Sequence, residues 1–330
     1  MKIRLYLLLI ATITLLGGGA VPVAQAQSPA ASQEAAQPVL PATVQDADGN
    51  DIEVTDVSRV IAMNGNVTET IFALGLGANV VATDVSALYP EEAVALPKIG
   101  YQRELSVEGI LSFEPTLVIG TTDAGPPEAI EQLRAAGVTV LILPLTNSAE
   151  GAIEEIRTVG AALGVPDRAN AIADNVAGSI AEAQALSASI EPKARVAFLY
   201  VRGAGTQLLS GSNTQADAVI KAAGGTNVGA EIGIHGYQPI TPEALAQAAP
   251  DVIVVLRLGL ESVGGIEGLL AIPGVAQTPA GEVQHIVVFD DLYLLGFGPR
   301  IGDAIFDLTL ALYPDLPGEA RHPEWQGGSG

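Results

Sequence analysis

Apolar residues along this chain switch repeatedly between two patterns. Continuous β-branched runs from Arg59 to Met63, Asn79 to Thr83, Leu117 to Gly120 and Val138 to Leu143 read as strands covered on both faces. Between them, the stretches Val67 to Leu76, Ser106 to Phe113 and Pro127 to Ala136 carry the spacing of amphipathic helices. Strand and helix in alternation specify a mostly parallel sheet flanked by helices, because every parallel connection needs a crossover. The second half repeats the pattern, with strands from Arg195 to Val201, Val252 to Leu256 and Ile286 to Phe289 and a closing helix from about Arg300 to Tyr313.

The repetition extends to single positions. Residues 106–119 recur as residues 241–254: a hydroxyl suited to capping a helix (Ser106, Thr241), a glutamate in the first turn (Glu108, Glu243), a short apolar helix, a proline (Pro115, Pro250) and a buried strand. Gly77-Ala78-Asn79-Val80 is likewise echoed by Gly225-Thr226-Asn227-Val228, each read as a helix end with a left-handed glycine. Two motifs in the same order at similar separation indicate two matched α/β lobes, not a solenoid. Two lobes imply a cleft, and a cleft suggests ligand binding before it suggests chemistry.

The expected organisation is an N-terminal lobe over 43–164, a backbone helix over 165–190, a C-terminal lobe over 191–316 and a tail over 317–330. The helix follows from a stretch with no proline after Pro166 and no glycine but Gly178; about 25 residues of helix span about 37 Å. Such a strut holds the lobes at a nearly fixed separation, so ligand-induced motion should be small. The segment from Thr43 to Val54 reads as a hairpin turning at Asp48-Gly49-Asn50; its acidic residues resemble a calcium loop but lack the closing glutamate.

Three compositional facts add an address. Lys2 and Arg4, the apolar run Leu5 to Leu16 and Ala24-Gln25-Ala26 have the form of a signal peptide over 1–26, followed by an Ala/Gln/Ser/Pro-rich spacer over 27–42. The chain has no cysteine, which excludes disulfides, thiolate metal sites and a lipidated N-terminal cysteine, and points to a periplasm rather than a surface anchor. The net charge is −22, or −24 once Lys2 and Arg4 leave with the leader, which argues against a nucleic-acid partner.

Three segments carry a family resemblance: Pro97-Lys98-Ile99-Gly100-Tyr101-Gln102-Arg103-Glu104-Leu105-Ser106, the loop Asp123-Ala124-Gly125-Pro126-Pro127, and Gly296-Phe297-Gly298-Pro299-Arg300-Ile301. Together they resemble the periplasmic haem-binding proteins of bacterial ABC importers, the HmuT-like group, over nearly all of the chain from about Asp56 to Tyr313. The two-lobe layout with a helical strut is that of class III periplasmic binding proteins, shared with siderophore- and cobalamin-binding relatives. The resemblance implies a monomer that carries haem b as transported ligand to an inner-membrane ABC permease dimer with its ATPase.

It also implies roles for residues. Tyr101 would be the haem-iron ligand, and a hard ferric ion suits a tyrosinate oxygen. Arg103 could hydrogen-bond that phenolate and favour its ionised form. Some relatives carry a histidine where this chain has Arg202, whose planar fork suits a haem propionate; the departure favours one haem per protein. His235 or Tyr237, in the lobe 2 loop corresponding to the Tyr101 loop, is either an opposite-face contact or an idle loop residue. Arg300 either pairs with a propionate at the cleft rim or fixes the entry of the last helix. Glu108 and Glu243 would dock on the two permease subunits, although the helix dipole alone also favours acids there. His285 and His322 read as structural. No phosphate loop, catalytic triad or paired-carboxylate motif is present, so a metal-dependent enzyme built on His235 is the remaining rival of another class.

Overall fold

The computed structural model describes residues 37–322 and the short strand Gln326–Gly327, so the expected signal peptide and most of the spacer lie outside the described residues. The chain opens with an antiparallel hairpin, β1 (Ala42–Gln45) and β2 (Asp51–Val54). Its turn is held by Asp46, whose carboxylate accepts the N–H groups of Asp48 (3.0 Å) and Asn50 (2.9 Å). Both donors share Oδ1 of Asp46, as an aspartate that fixes a turn requires.

The first sheet contains β3 (Val60–Ala62), β4 (Val80–Thr83), β5 (Leu117–Thr121) and β6 (Thr139–Leu143) in the order β4-β3-β5-β6, with every neighbour parallel. All five positions of β5 are buried, as a continuous apolar run between two helical layers requires.

The second sheet is larger. β7 (Arg195–Arg202), β11 (Val252–Leu256) and β12 (Ile286–Phe289) form its parallel centre. Around them lie β8 (Thr206–Ser210), β9 (Thr226–Asn227), β10 (Tyr237–Pro239) and β13 (Gln326–Gly327), giving the path β10-β8-β7-β11-β12-β13 with β9 beside β7. The four added strands were absent from the sequence pattern because they are short or half-covered; β10 ends in Pro239 at a sheet edge, where a missing N–H costs no ladder bond. Residues expected as a tail thus return to the sheet through β13. Just before it, Arg321 pairs with Asp303 at 2.6 Å and its N–H reaches Asp307 at 2.7 Å.

The internal repeat survives in detail. Ser106 Oγ accepts the N–H of Gly109 at 3.2 Å and Thr241 Oγ1 that of Ala244 at 3.1 Å, so both hydroxyls cap their helices, Val107–Leu111 and Pro242–Ala248. Each helix then exits through a left-handed residue at the same step of the repeat, Glu114 (φ 47°) and Ala249 (φ 41°), just before the paired prolines. The glycine echo needs one correction. The left-handed stops are Gly75 (φ 78°) and Gly224 (φ 81°), while Gly77 opens a 3₁₀ turn after the helix has already ended.

The strut is the helix Pro166–Ser187, 22 residues or roughly 33 Å long. It packs between the helix Ala149–Ala162, which follows β6, and the helix Ile301–Leu312, which closes the chain. Both contacts are tight: a Cβ on Gly160 would meet Ala169 Cβ at 2.1 Å, and one on Gly302 would meet Val176 O at 2.7 Å. Close approach on both sides makes the strut a shared wall of the two lobes' cores.

Candidate functional site

A cavity of about 370 Å³ opens between the lobes. Its walls are the segments that leave the C-terminal ends of the parallel strands: Asn64 to Asn66 after β3, Asp123 after β5, Leu145 and Thr146 after β6, Tyr200 and Arg202 at the end of β7, Leu256 and Leu258 at β11, and Asp291 after β12. Open α/β sheets place ligand sites at these ends, because the loops there are free to vary while the strands hold them rigid.

The cavity mouth is apolar. Among the described residues, eight large hydrophobic side chains are exposed; three of them, Leu88, Leu145 and Leu258, line the cavity, and two more, Val85 and Tyr101, adjoin the lining residues Ser86 and Gln102 in sequence. Exposed apolar groups gathered around one opening mark a surface that something apolar covers.

Within that collar each lobe sets one arginine against one aspartate. In lobe 1, Arg103 Nη2 donates to Asp123 Oδ2 at 3.2 Å, with the guanidinium more than half exposed. Asp123 also accepts from Thr121 Oγ1, from Asn64 Nδ2 at 3.3 Å and from Gln102 Nε2 at 3.4 Å. Burial pushes its carboxyl up, but the hydrogen bonds from Thr121, Gln102, Asn64 and Arg103 outweigh burial and hold it below its ordinary value. In lobe 2, Arg202 Nη2 donates to Asp291 Oδ1 at 2.5 Å, and the guanidinium lies 4.6 Å from the centre of the Tyr200 ring. Burial raises the Asp291 carboxyl despite the Leu258 N–H and Arg202.

Behind the lobe 1 wall two further carboxyls are perturbed. Asn66 donates to Glu155 Oε1 at 2.6 Å, and burial, then the field of Asp123, push Glu155 up to about 8. Asp84 is raised to about 6 by burial, although Ser86 donates to it through both its hydroxyl and its N–H.

The residues singled out in the sequence fall into three groups. Arg103 and Arg202 both line the cleft, whereas Tyr101, 45% exposed on the loop opened by the left-handed Gly100, is not itself in the lining and immediately precedes the lining Gln102. Arg103 engages Asp123 here, not the Tyr101 phenol. The lobe 2 loop stands apart from the lining. His235 is exposed with Nδ1 2.7 Å from Ser212 Oγ, and Tyr237 packs on Tyr200 with ring centres 5.7 Å apart. Burial, then the neighbouring Tyr200, push the Tyr237 phenol up to about 12.

Arg300 is elsewhere. It is buried and lines a separate cavity of about 670 Å³ together with Glu69, Tyr89 and Pro299. Its Nε and Nη2 donate to the two Glu69 oxygens at 2.9 and 2.8 Å, and its guanidinium lies 3.7 Å over the Tyr89 ring. The side chain is therefore a bolt from the second lobe into the first, which takes it away from the cleft rim expected for a propionate contact. Glu108 and Glu243 are exposed in the first turns of the two repeated helices. No group of three or more His, Asp or Glu placed to hold a metal ion occurs among the described residues, so the acidic loops do not gather around His235.

Four wall residues and one behind the wall escaped the sequence pattern: Asn64, Asn66, Tyr200 and Asp291, and Glu155. Polar or aromatic residues at the very ends of buried strands were the available signal for the first four. Glu155 lies on the same helix stripe as the buried Ala152, Ile156 and Val159, a place where a carboxyl needs a reason.

Comparison with known proteins agrees with this geometry. The family described as periplasmic binding protein matches residues 60–293. Among solved structures, the periplasmic heme-binding protein RhuT from Roseiflexus sp. RS-1, in apo form, is 51% identical, covering 78% of this chain and 99% of its own with a TM-score of 0.76. The periplasmic heme-binding protein BhuT, in complex with two hemes, is 41% identical over 77% of this chain and 97% of its own, with a TM-score of 0.72. A cobalamin-binding protein of Halobacterium salinarum is 27% identical over 92% of this chain and 81% of its own. With a family match across both lobes and the strut between them, this chain belongs to the periplasmic binding protein family.

Proposed function

We propose that this chain captures one haem b in the interlobe cleft and delivers it, from the periplasm, to an inner-membrane ABC permease dimer with its ATPase. The observation that carries the reading is the composition of the cleft: an apolar collar for a flat ring, Arg202 on the lobe 2 wall for a carboxylate of that ring, and an exposed phenol, Tyr101, one residue before the lining Gln102. Tyr101 is the iron ligand in this reading, since a phenolate oxygen suits ferric iron. Arg202 serves a propionate. Among the described residues of lobe 2 no histidine lines the cavity, which supports a single haem with one protein ligand.

Glu108 and Glu243 act outside the cleft. They stand at the same step of the same structural repeat, each exposed and each on its own lobe, which suits a partner with two similar subunits and basic sockets.

The test is a parallel titration of the exported protein with haemin, cobalamin and a ferric siderophore. Haemin should give a coloured complex saturating at one equivalent, with no competition from the other two. Tight siderophore or cobalamin binding with no haemin complex would overturn the reading in favour of another branch of the superfamily.

A further inference from the structure

The geometry points to Asp123 as the positioning residue of the iron-ligand loop, a role that rests on the haem reading above. The loop that presents Tyr101 is otherwise lightly tied. It begins at Gly100, whose carbonyl accepts the Val85 N–H at 3.1 Å, bends through one turn bond from Glu104 N–H to Tyr101 O at 2.9 Å, and leaves its tyrosine half in solvent.

Asp123 joins that loop to the scaffold with its two oxygens divided between them. Oδ1 takes the scaffold side: the Thr121 hydroxyl at the end of β5 and the Asn64 amide at the head of the helix Gly65–Ala73. Asn64 is fixed in turn, because its Oδ1 accepts the Thr121 N–H at 3.0 Å. Oδ2 takes the loop side: Gln102 Nε2 at 3.4 Å and Arg103 Nη2 at 3.2 Å, the two residues that follow Tyr101. Backbone bonds run alongside, from Gly125 N–H to Gln102 O (2.8 Å) and from Leu105 N–H to Gly125 O (2.9 Å). An ionised carboxylate only accepts, so Asp123 dictates which end of the Gln102 amide faces it. The consequence is visible: Gln102 Oε1 is left buried with no partner among the described residues, so the amide forgoes one bond to keep its NH₂ on Asp123.

A carboxylate behind a metal-ligand loop sets the ligand's aim without touching the metal. Asp123 also engages Arg103, so the guanidinium is tied beside the loop instead of swinging to a propionate. Both effects vanish together in Asp123→Asn, which keeps the shape but turns one of the two acceptors into a donor.

The experiment compares haemin complexes of the parent, Asp123→Asn and Gln102→Leu. Spectra are recorded against pH, and haem loss is timed with an excess of a haem-free acceptor globin. Asp123→Asn should remain folded, weaken the tyrosinate charge-transfer band, raise the pH at which it develops, and release haem about tenfold faster, the range seen when outer partners of metal ligands are removed. Gln102→Leu, which cuts one loop-side bond, should shift both readouts in the same direction by a smaller factor. A folded Asp123→Asn with parent-like band, pH midpoint and release rate would overturn the inference. Should that variant not fold, a parent-like Gln102→Leu would overturn it alone. A parent that forms no haemin complex would instead remove the haem reading beneath it.

Discussion

Arg300→Met tests what joins the two lobes. Arg300 reaches from the second lobe into the first, where it makes two side-chain hydrogen bonds and one backbone hydrogen bond to Glu69, and lies over Tyr89. Burial opposes the guanidinium's charge, yet Glu69 more than compensates and holds its pKa above the ordinary value. Methionine keeps much of the volume but leaves the Glu69 carboxylate buried without its cation, and removing one partner of such a pair costs about 3–5 kcal/mol. At about 1.6 °C per kcal/mol for a folded part of about 300 residues, Tm should fall by roughly 5–8 °C. Scanning calorimetry and urea titration measure the loss. The double variant Glu69→Leu with Arg300→Met should recover most of it, because no charge is then stranded. A single variant within about 1 kcal/mol of the parent would show that water satisfies Glu69 and that the pair is no bolt.

Three further outcomes follow from the same structure. Glu155 titrates near 8 when folded and near 4.5 as an ordinary glutamate, so its stabilising contribution is complete below about 4.5 and is lost as pH rises through about 8; Glu155→Gln should therefore be the more stable protein at pH 9 and lose that advantage by pH 4.5, and parallel Tm–pH curves would refute the assignment. Glu108→Lys and Glu243→Lys should leave haemin binding intact and abolish haem uptake in vesicles carrying the cognate permease, whereas normal uptake by the double variant would leave only the helix-dipole role. Haemin titration of the parent should break at one equivalent; a second equivalent abolished by changing His235 or Tyr237 would show that the lobe 2 loop moves into the cleft.

The architecture was legible because the parallel core strands carry unbroken apolar runs and the repeated helices carry their caps in sequence. Ser106 and Thr241, Pro115 and Pro250 announce the two halves before any coordinate does. The strands outside the parallel core were not legible: Thr206 to Ser210 and Tyr237 to Pro239 pair through backbone groups that carry no side-chain signature. The site divides in the same way. Tyr101 and Arg103 stand in a recognisable segment, but the partner of Arg103 lies 20 residues away on the next loop and that of Arg202 is 89 residues on, so only folding reveals which carboxylate each one meets. Arg300 read equally as a cleft-rim cation or as a residue fixing the entry of the last helix; its bidentate partner Glu69 is 231 residues away in sequence, so only folding reveals that pair.

The central claim is that one exposed phenol beside an apolar cleft binds ferric haem, and visible spectroscopy of the haemin complex in parent and Tyr101→Phe tests it most directly. Phenylalanine keeps the ring and its packing while deleting the oxygen donor. The parent should show a tyrosinate-to-iron charge-transfer band that is absent from a folded Tyr101→Phe, with haemin bound more weakly; a variant whose spectrum and affinity match the parent would remove Tyr101 from the site and contradict the account.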